Sequence, residues 1–225
     1  MGVITVEKID QLWWMGRYTE RVYTTIRKFI LSYDYMIDGD ENFYADVCGK
    51  LGIPNTYKDA EDFLTRYPFD EEDPNSIVSN LNRALDNAMI LREVIGSETL
   101  GYLYLAMYDM KKAALDGAPL VDLQFVLDHI LAFWGCIEEN VYNEEIRNIA
   151  RAGKRRESFD LLLREGKASP RELEAAWNRL KARLDRSPIT YDADIFDTLH
   201  EIILSEPVNY RNALELLGKL LEEHV

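Results

Sequence analysis

Leu12-Trp13-Trp14-Met15-Gly16-Arg17-Tyr18-Thr19-Glu20-Arg21 sits early in a long amphipathic segment. Around it, Leu12, Met15, Thr19, Val22, Ile26 and Phe29 recur in steps of three and four, the seam of an amphipathic helix. The helix starts near Thr5 to Glu7 and runs to about Asp38, where Gly39, flanked by Asp38, Asp40 and Glu41, ends it. Residues four apart share a helix face, so Gly16 and Glu20 stack one turn apart at the edge of the seam, near Tyr23 and Arg27. Arg21 points further outward, beside Arg17. Glycine inside a helix costs roughly 1 kcal/mol against alanine, so Gly16 marks a close approach of another group. A partly buried Glu20 needs donors, and Arg17, Arg27, Arg92 and the indoles of Trp13 and Trp14 are candidates. Two readings stay open: a polar network that fixes helix register, or a binding or catalytic site lined by Glu20, Arg17 and Arg21.

Caps and stops continue along the chain. Short helices are expected over Asn42 to Leu51 and Lys58 to Arg66, with a turn at Gly52 to Asn55. Asp73-Pro74 reads as N-cap and first helical residue of a helix from Asn75 to Ile95, closed by a left-handed Gly96. Ser97 caps Glu98 to Asp116, which Gly117 closes. Pro119 opens a segment through roughly Arg151, broken at Gly153, and Arg155 to Glu165 is helical in pattern. Ser169-Pro170-Arg171-Glu172 is a capping box for a helix ending near Arg186. Asp192 to Ser205 and Asn209 to Glu223 complete the chain as helices. Val3 to Val6 is the only strand candidate. The expected fold is an all-α bundle of long antiparallel helices without significant sheet, in a single domain over 1–225.

A second-half echo suggests an internal pseudo-duplication. Aligning Gly16 with Gly135 pairs Leu12 with Leu131, Trp14 with Phe133, Glu20 with Glu139 and Tyr23 with Tyr142. If Gly135 also marks a close contact, the two helices cross there and Glu20 neighbours Glu139.

The net charge of −14 repels nucleic acid and anionic membranes. Arg147, Arg151, Lys154, Arg155, Arg156 and Arg164 form a basic exception, with Glu157 and Asp160 against them; this is a solvated helix face or a site for a phosphate or acidic partner. Cys48 and Cys136 read as buried free thiols in a reducing compartment. No signal peptide is evident and the longest apolar runs, such as Leu100 to Met107, are short for a bilayer, so the chain reads as cytoplasmic. With only His129, His200 and His224, no Glu-x-x-His motif, no phosphate loop and no nucleophile motif, neither a metal nor a cofactor is expected.

The opening stretch resembles the signature of the alpha-E family, a helical domain with a Glu-Arg motif whose members begin with the form Leu-Tyr-Trp-Leu-Gly-Arg-Tyr-x-Glu-Arg-Ala. Trp14, Gly16, Arg17, Tyr18, Glu20 and Arg21 match it. A second block, Asn75-Ser76-Ile77 followed by Ala84, Asn87, Ala88, Arg92-Glu93, Ile95, Ser97 and Glu98, resembles a further family stretch, with Leu85, Asp86 and Met89 standing where Arg, Glu and Arg are usual. The family's second Gly-Arg-x-x-Glu-Arg segment corresponds to Gly135 to Asn140, where both arginines are lost. The resemblance implies association with circularly permuted ATP-grasp and transglutaminase-like proteins. It therefore implies a role in peptide ligation or modification, with an ATP-grasp-type ligase or its peptide substrate as partner.

Three functions follow as alternatives. The first is a non-catalytic interaction module, with Trp13, Trp14, Arg17, Glu20, Arg21, Asn87 and Arg92 as candidate binding residues and Gly16, Gly135 and Glu139 as structural ones. The second is an enzyme acting on a peptide or amide, with Glu20 as acid or base and Arg17 and Arg21 holding an anion. The third is a homo-oligomeric scaffold, a homodimer formed through Ile195 to Leu204 and Leu214 to Leu221.

Overall fold

A computed structural model of the chain describes residues 4–38, 42–115 and 119–221. Among the described residues there are eleven helices and no strand. They are α1 (Val6–Asp38), α2 (Phe43–Leu51), α3 (Ala60–Arg66), α4 (Ile77–Ile90), α5 (Arg92–Ile95), α6 (Ser97–Ala113), α7 (Pro119–Asn140), α8 (Glu144–Glu165), α9 (Pro170–Leu184), α10 (Ala193–Leu204) and α11 (Tyr210–Lys219). The all-α expectation holds. The stops at Gly39 and Gly117 and the run Met1 to Val3 lie outside the described residues.

The chain divides into two compact units, Tyr18–Tyr142 and residues 4–17 with 143–221. Helix α1 contributes its residues to Arg17 to the second and its residues from Tyr18 to the first.

In the Tyr18–Tyr142 unit, α6 and α7 form an antiparallel hairpin. Asp122 Oδ1 lies 2.7 Å from Lys112 Nζ, His129 Nε2 2.9 Å from Asp109 Oδ2, and Asn140 donates to Glu98 at 3.3 Å. Partners on α7 rise in number as those on α6 fall. Elsewhere in this unit, Phe63 is fully buried at the centre of an aromatic cluster, stacked on Tyr67 at 4.9 Å and edge-on to Tyr57 at 5.0 Å. Cys48 is buried, and burial pushes its thiol up to about 11. At pH 8 roughly one such thiol in a thousand is ionised. Cys48 is therefore expected to resist a chromogenic disulfide reagent at that pH until urea unfolds the chain. Reaction at the rate of a free thiol in the native protein would contradict its placement. Cys136 is half-buried rather than buried.

In the other unit, α9 packs on α8 and α10, and α11 packs on α8 and α10. The Ser169–Glu172 capping box forms as expected. Trp177 stacks on His200 at 4.0 Å and on Phe196 at 4.7 Å. Arg183 donates to the buried Asn148 at 2.9 Å. Tyr210 donates to the Ala168 carbonyl at 2.6 Å.

Several boundaries differ from expectation. Helix α4 starts at Ile77, with Ser76 as N-cap accepting from Ser79 N. Asp73 is engaged elsewhere: one carboxylate oxygen accepts from Asn75 N at 2.8 Å and the other from Tyr57 OH at 3.0 Å. The helix breaks at Leu91, whose side chain is fully buried, and α5 follows. Gly96 has φ +85 and ψ 153, an extended mirror-image conformation rather than the left-handed helical one, and it occupies the N-cap position expected for Ser97. The long segment from Pro119 ends at Asn140, because Asn143 caps a new helix by accepting from Glu145 N and Ile146 N. Gly153 breaks nothing and lies in the middle of α8.

Helix α7 is long and apolar enough to cross a membrane by length and composition, at a mean hydropathy of 1.5 over its best window, of which 44% is buried within the chain. The charged residues that interrupt its apolar runs hid this in the sequence. Two of its polar residues, Asp122 and His129, are paired with α6.

Candidate functional site

The close approach marked by Gly16 is to α8. A Cβ on Gly16 would strike the Ala150 carbonyl oxygen and stand 2.9 Å from Lys154 N. Reciprocally, a Cβ on Gly153 would strike the Trp13 carbonyl oxygen and stand 2.9 Å from its carbonyl carbon. Two helix backbones touch through two glycines, with Ala150 and Ala152 fully buried beside them. Neither neighbour in these clashes is a flexible side chain, so neither can rotate away.

One turn beyond Gly153, Glu157 is 1% exposed and accepts from Arg17 Nε at 2.9 Å. The Arg17 guanidinium lies over the Trp14 ring, 4.4 Å from its centroid. Arg156 stands 3.8 Å from the same carboxylate oxygen of Glu157 and 3.1 Å from Asp160, which also accepts from Arg164 Nε at 2.6 Å. The two carboxylates expected to oppose the basic cluster are thus buried, and Arg17, Arg156 and Arg164 neutralise them. The solvated-face reading of the cluster fails: Arg147, Arg151, Lys154, Arg155, Arg156 and Arg164 are all half-buried. A buried carboxylate needs such partners, because leaving it uncompensated costs several kcal/mol.

The other motif residues separate. Trp13 is 2% exposed and belongs to the core; Trp14 and Arg21 are half-buried. Glu20, expected to be partly buried at the seam's edge, is buried. In the Tyr18–Tyr142 unit, the Arg21 carbonyl accepts from Thr25 Oγ1 at 2.7 Å. The Tyr67 phenol is buried in the same unit. Burial raises that phenol well above its ordinary range, and the Arg21 charge opposes the rise. Arg83 lies over the Tyr18 ring at 5.7 Å. Asn87 is half-buried and donates to the Arg83 carbonyl at 2.9 Å. Arg92 is exposed and donates to Ser97 Oγ, and Arg27 is exposed with its guanidinium over Tyr23.

The echo does not reproduce this geometry. Gly135 is exposed, with nothing within 4 Å of the point where a Cβ would stand, so no helix crosses there. Glu139 is exposed where Glu20 is buried, and Leu131 is 50% exposed where Leu12 is fully buried. The true counterpart of Gly16 is Gly153. The site residues missed from sequence were Gly153, read as a break, and Glu157, read as a surface counter-charge. The available signal was the helical continuity of Ile149, Ala150, Ala152 and Leu161 across Gly153.

Among the described residues, no group of three or more His, Cys, Asp or Glu side chains is placed to hold a metal ion. Neither a curated protein nor a solved structure matches the chain significantly. A family model does match, over residues 8–175, and its description is a predicted alpha-helical domain with a conserved ER motif. Glu20-Arg21 is the Glu-Arg pair in this sequence, on the helix that carries Gly16 and Arg17, and the matched range takes in both partners of the glycine contact. By that match the chain belongs to the Alpha-E family.

Proposed function

We propose that the chain is a non-catalytic helical accessory protein of a peptide-ligation or peptide-modification system, working in the cytoplasm, where an ATP-grasp-type ligase or its peptide substrate docks on it. The observation that carries this reading is the Arg17–Glu157 pair. Arg17, one turn ahead of the Glu-Arg pair, is engaged by a buried carboxylate of the same unit and so serves to build the scaffold. A scaffold held by such an inward pair does its work through its surface. The half-buried cations Arg147, Arg151, Lys154 and Arg155 of α8 are the positive group suited to an acidic peptide. The free thiols Cys48 and Cys136 suit a reducing compartment.

The test mixes the purified chain with the purified circularly permuted ATP-grasp protein of the same genome and measures mass by light scattering on a sizing column. A complex that weakens when salt is raised from 50 to about 500 mM is expected. Two separate peaks at every salt concentration, with and without ATP and an acidic peptide, would overturn the reading.

A further inference from the structure

Within the Tyr18–Tyr142 unit, α1 and α3 touch through Phe29 and Phe63, ring centroids 6.4 Å apart, and together line a cleft of about 650 Å³. That volume lies in the range of ligand sites. Tyr33 and Met36, three apart on α1, and Ala60 and Leu64, four apart on α3, form its apolar part. Met36 and Ala60 are buried, while Leu64 and Tyr33, the latter edge-on to Phe29, are half-buried. Asp59 and Glu61 also line the cleft and are exposed. Thr65 donates its hydroxyl to the Glu61 carbonyl at 2.9 Å, so the two carboxylates carry the charge of the cleft.

These two carboxylates differ from the acids around them. Arg66 pairs with Asp62 at 3.3 Å and with Asp70 at 3.1 Å, and Lys50 pairs with Asp46. Among the described residues no cation pairs with Asp59 or Glu61, although Lys58 adjoins them in sequence. Asp59 caps α3, one oxygen accepting from Asp62 N at 2.8 Å. We propose that the cleft binds a lysine side chain of a basic peptide. Its aliphatic stem lies against Met36, Leu64 and Tyr33, and its ammonium donates to Glu61 and Asp59. The tyrosine ring attracts the same cation.

Charge and shape together select this occupant. The carboxylates and the net charge of −14 repel nucleic acid and other anions. A metal ion would meet two carboxylates beside an apolar floor, and among the described residues no group of three or more His, Cys, Asp or Glu is placed to hold one. At about 30 Å³ per heavy atom a lysine side chain fills roughly a quarter of the cleft, and the rest has room for the residues that flank it in a peptide. The cleft takes the opposite charge to the α8 cations and belongs to the other unit, so its failure and that of the ligase docking are separate results.

The test titrates the full chain with N-acetylated, C-amidated tetralysine by isothermal calorimetry at about 100 mM salt, where distant charges are screened. Saturable one-to-one binding is expected. Glu61 is exposed, so Glu61→Gln leaves the fold intact and should weaken binding about tenfold, and Glu61→Lys at least about thirtyfold. Asp59→Asn keeps a helix cap and should weaken it about fivefold. Asp86→Asn removes the same charge from the exposed side of α4 and should change binding less than about twofold. Tetra-diaminopropionate, which keeps the charges on one-methylene stems, should bind about tenfold more weakly, because it cannot cover the apolar floor. No binding at about 1 mM peptide overturns the proposal. Equal losses from Asp86→Asn and Glu61→Gln overturn it too, since the attraction is then only the field of an acidic protein. So does a peptide with every lysine acetylated, or spermine, that binds as tightly as tetralysine.

Discussion

Gly153→Ala is expected to destabilise the chain by about 3 kcal/mol or more. The added methyl enters the space of the Trp13 carbonyl, which belongs to a hydrogen-bonded helix and has no rotamer to change. Helix α1 and helix α8 must then separate, opening the layer that holds Ala150, Ala152 and Met15. The intrinsic gain of alanine over glycine in a helix, about 1 kcal/mol, does not offset this. For a chain of 225 residues the melting temperature should fall by roughly 6–12 °C. Gly16→Ala should behave alike, since its methyl meets the Ala150 carbonyl. Gly135→Ala supplies the contrast: with open space at that position, only the propensity gain of up to about 1 kcal/mol remains. Differential scanning calorimetry of the three variants reads the difference. Equal effects at positions 135 and 153 would contradict the crossing.

Arg17→Met is expected to cost about 3 kcal/mol by urea denaturation. The loss arises less from the pair's own worth than from what is left behind, a carboxylate 1% exposed that has lost its 2.9 Å donor while Arg156 stands at 3.8 Å. Arg17→Lys keeps the charge but lacks the planar group that lies over Trp14 and should cost about 1 kcal/mol.

The contrast between Gly16 and Gly153 shows how far the sequence could be read. The period of Leu12, Met15, Val22 and Ile26 fixes a long helix, and the Ser169 box fixes the start of α9, because both signals are local. An interior glycine is ambiguous, since a helix break and a helix contact use the same residue. Gly16 sits inside an unbroken seam and was legible as a contact. Gly153 sits among charged residues, where its seam is masked. Asp73 and Ser76 are both good caps three residues apart, and the choice rests on Tyr57, sixteen residues away in sequence, claiming Asp73. The burial of Glu157 depends on Arg17 from another helix, 140 residues distant, and no local pattern carries it.

That pair also bears most directly on whether the motif builds the scaffold. A double-mutant cycle of Arg17→Met and Glu157→Gln, read by urea denaturation, isolates their coupling. If the arginine beside the motif builds the scaffold, the double variant should be at least about 1.5 kcal/mol more stable than the sum of the single losses predicts. Single losses that add within about 0.5 kcal/mol would contradict it.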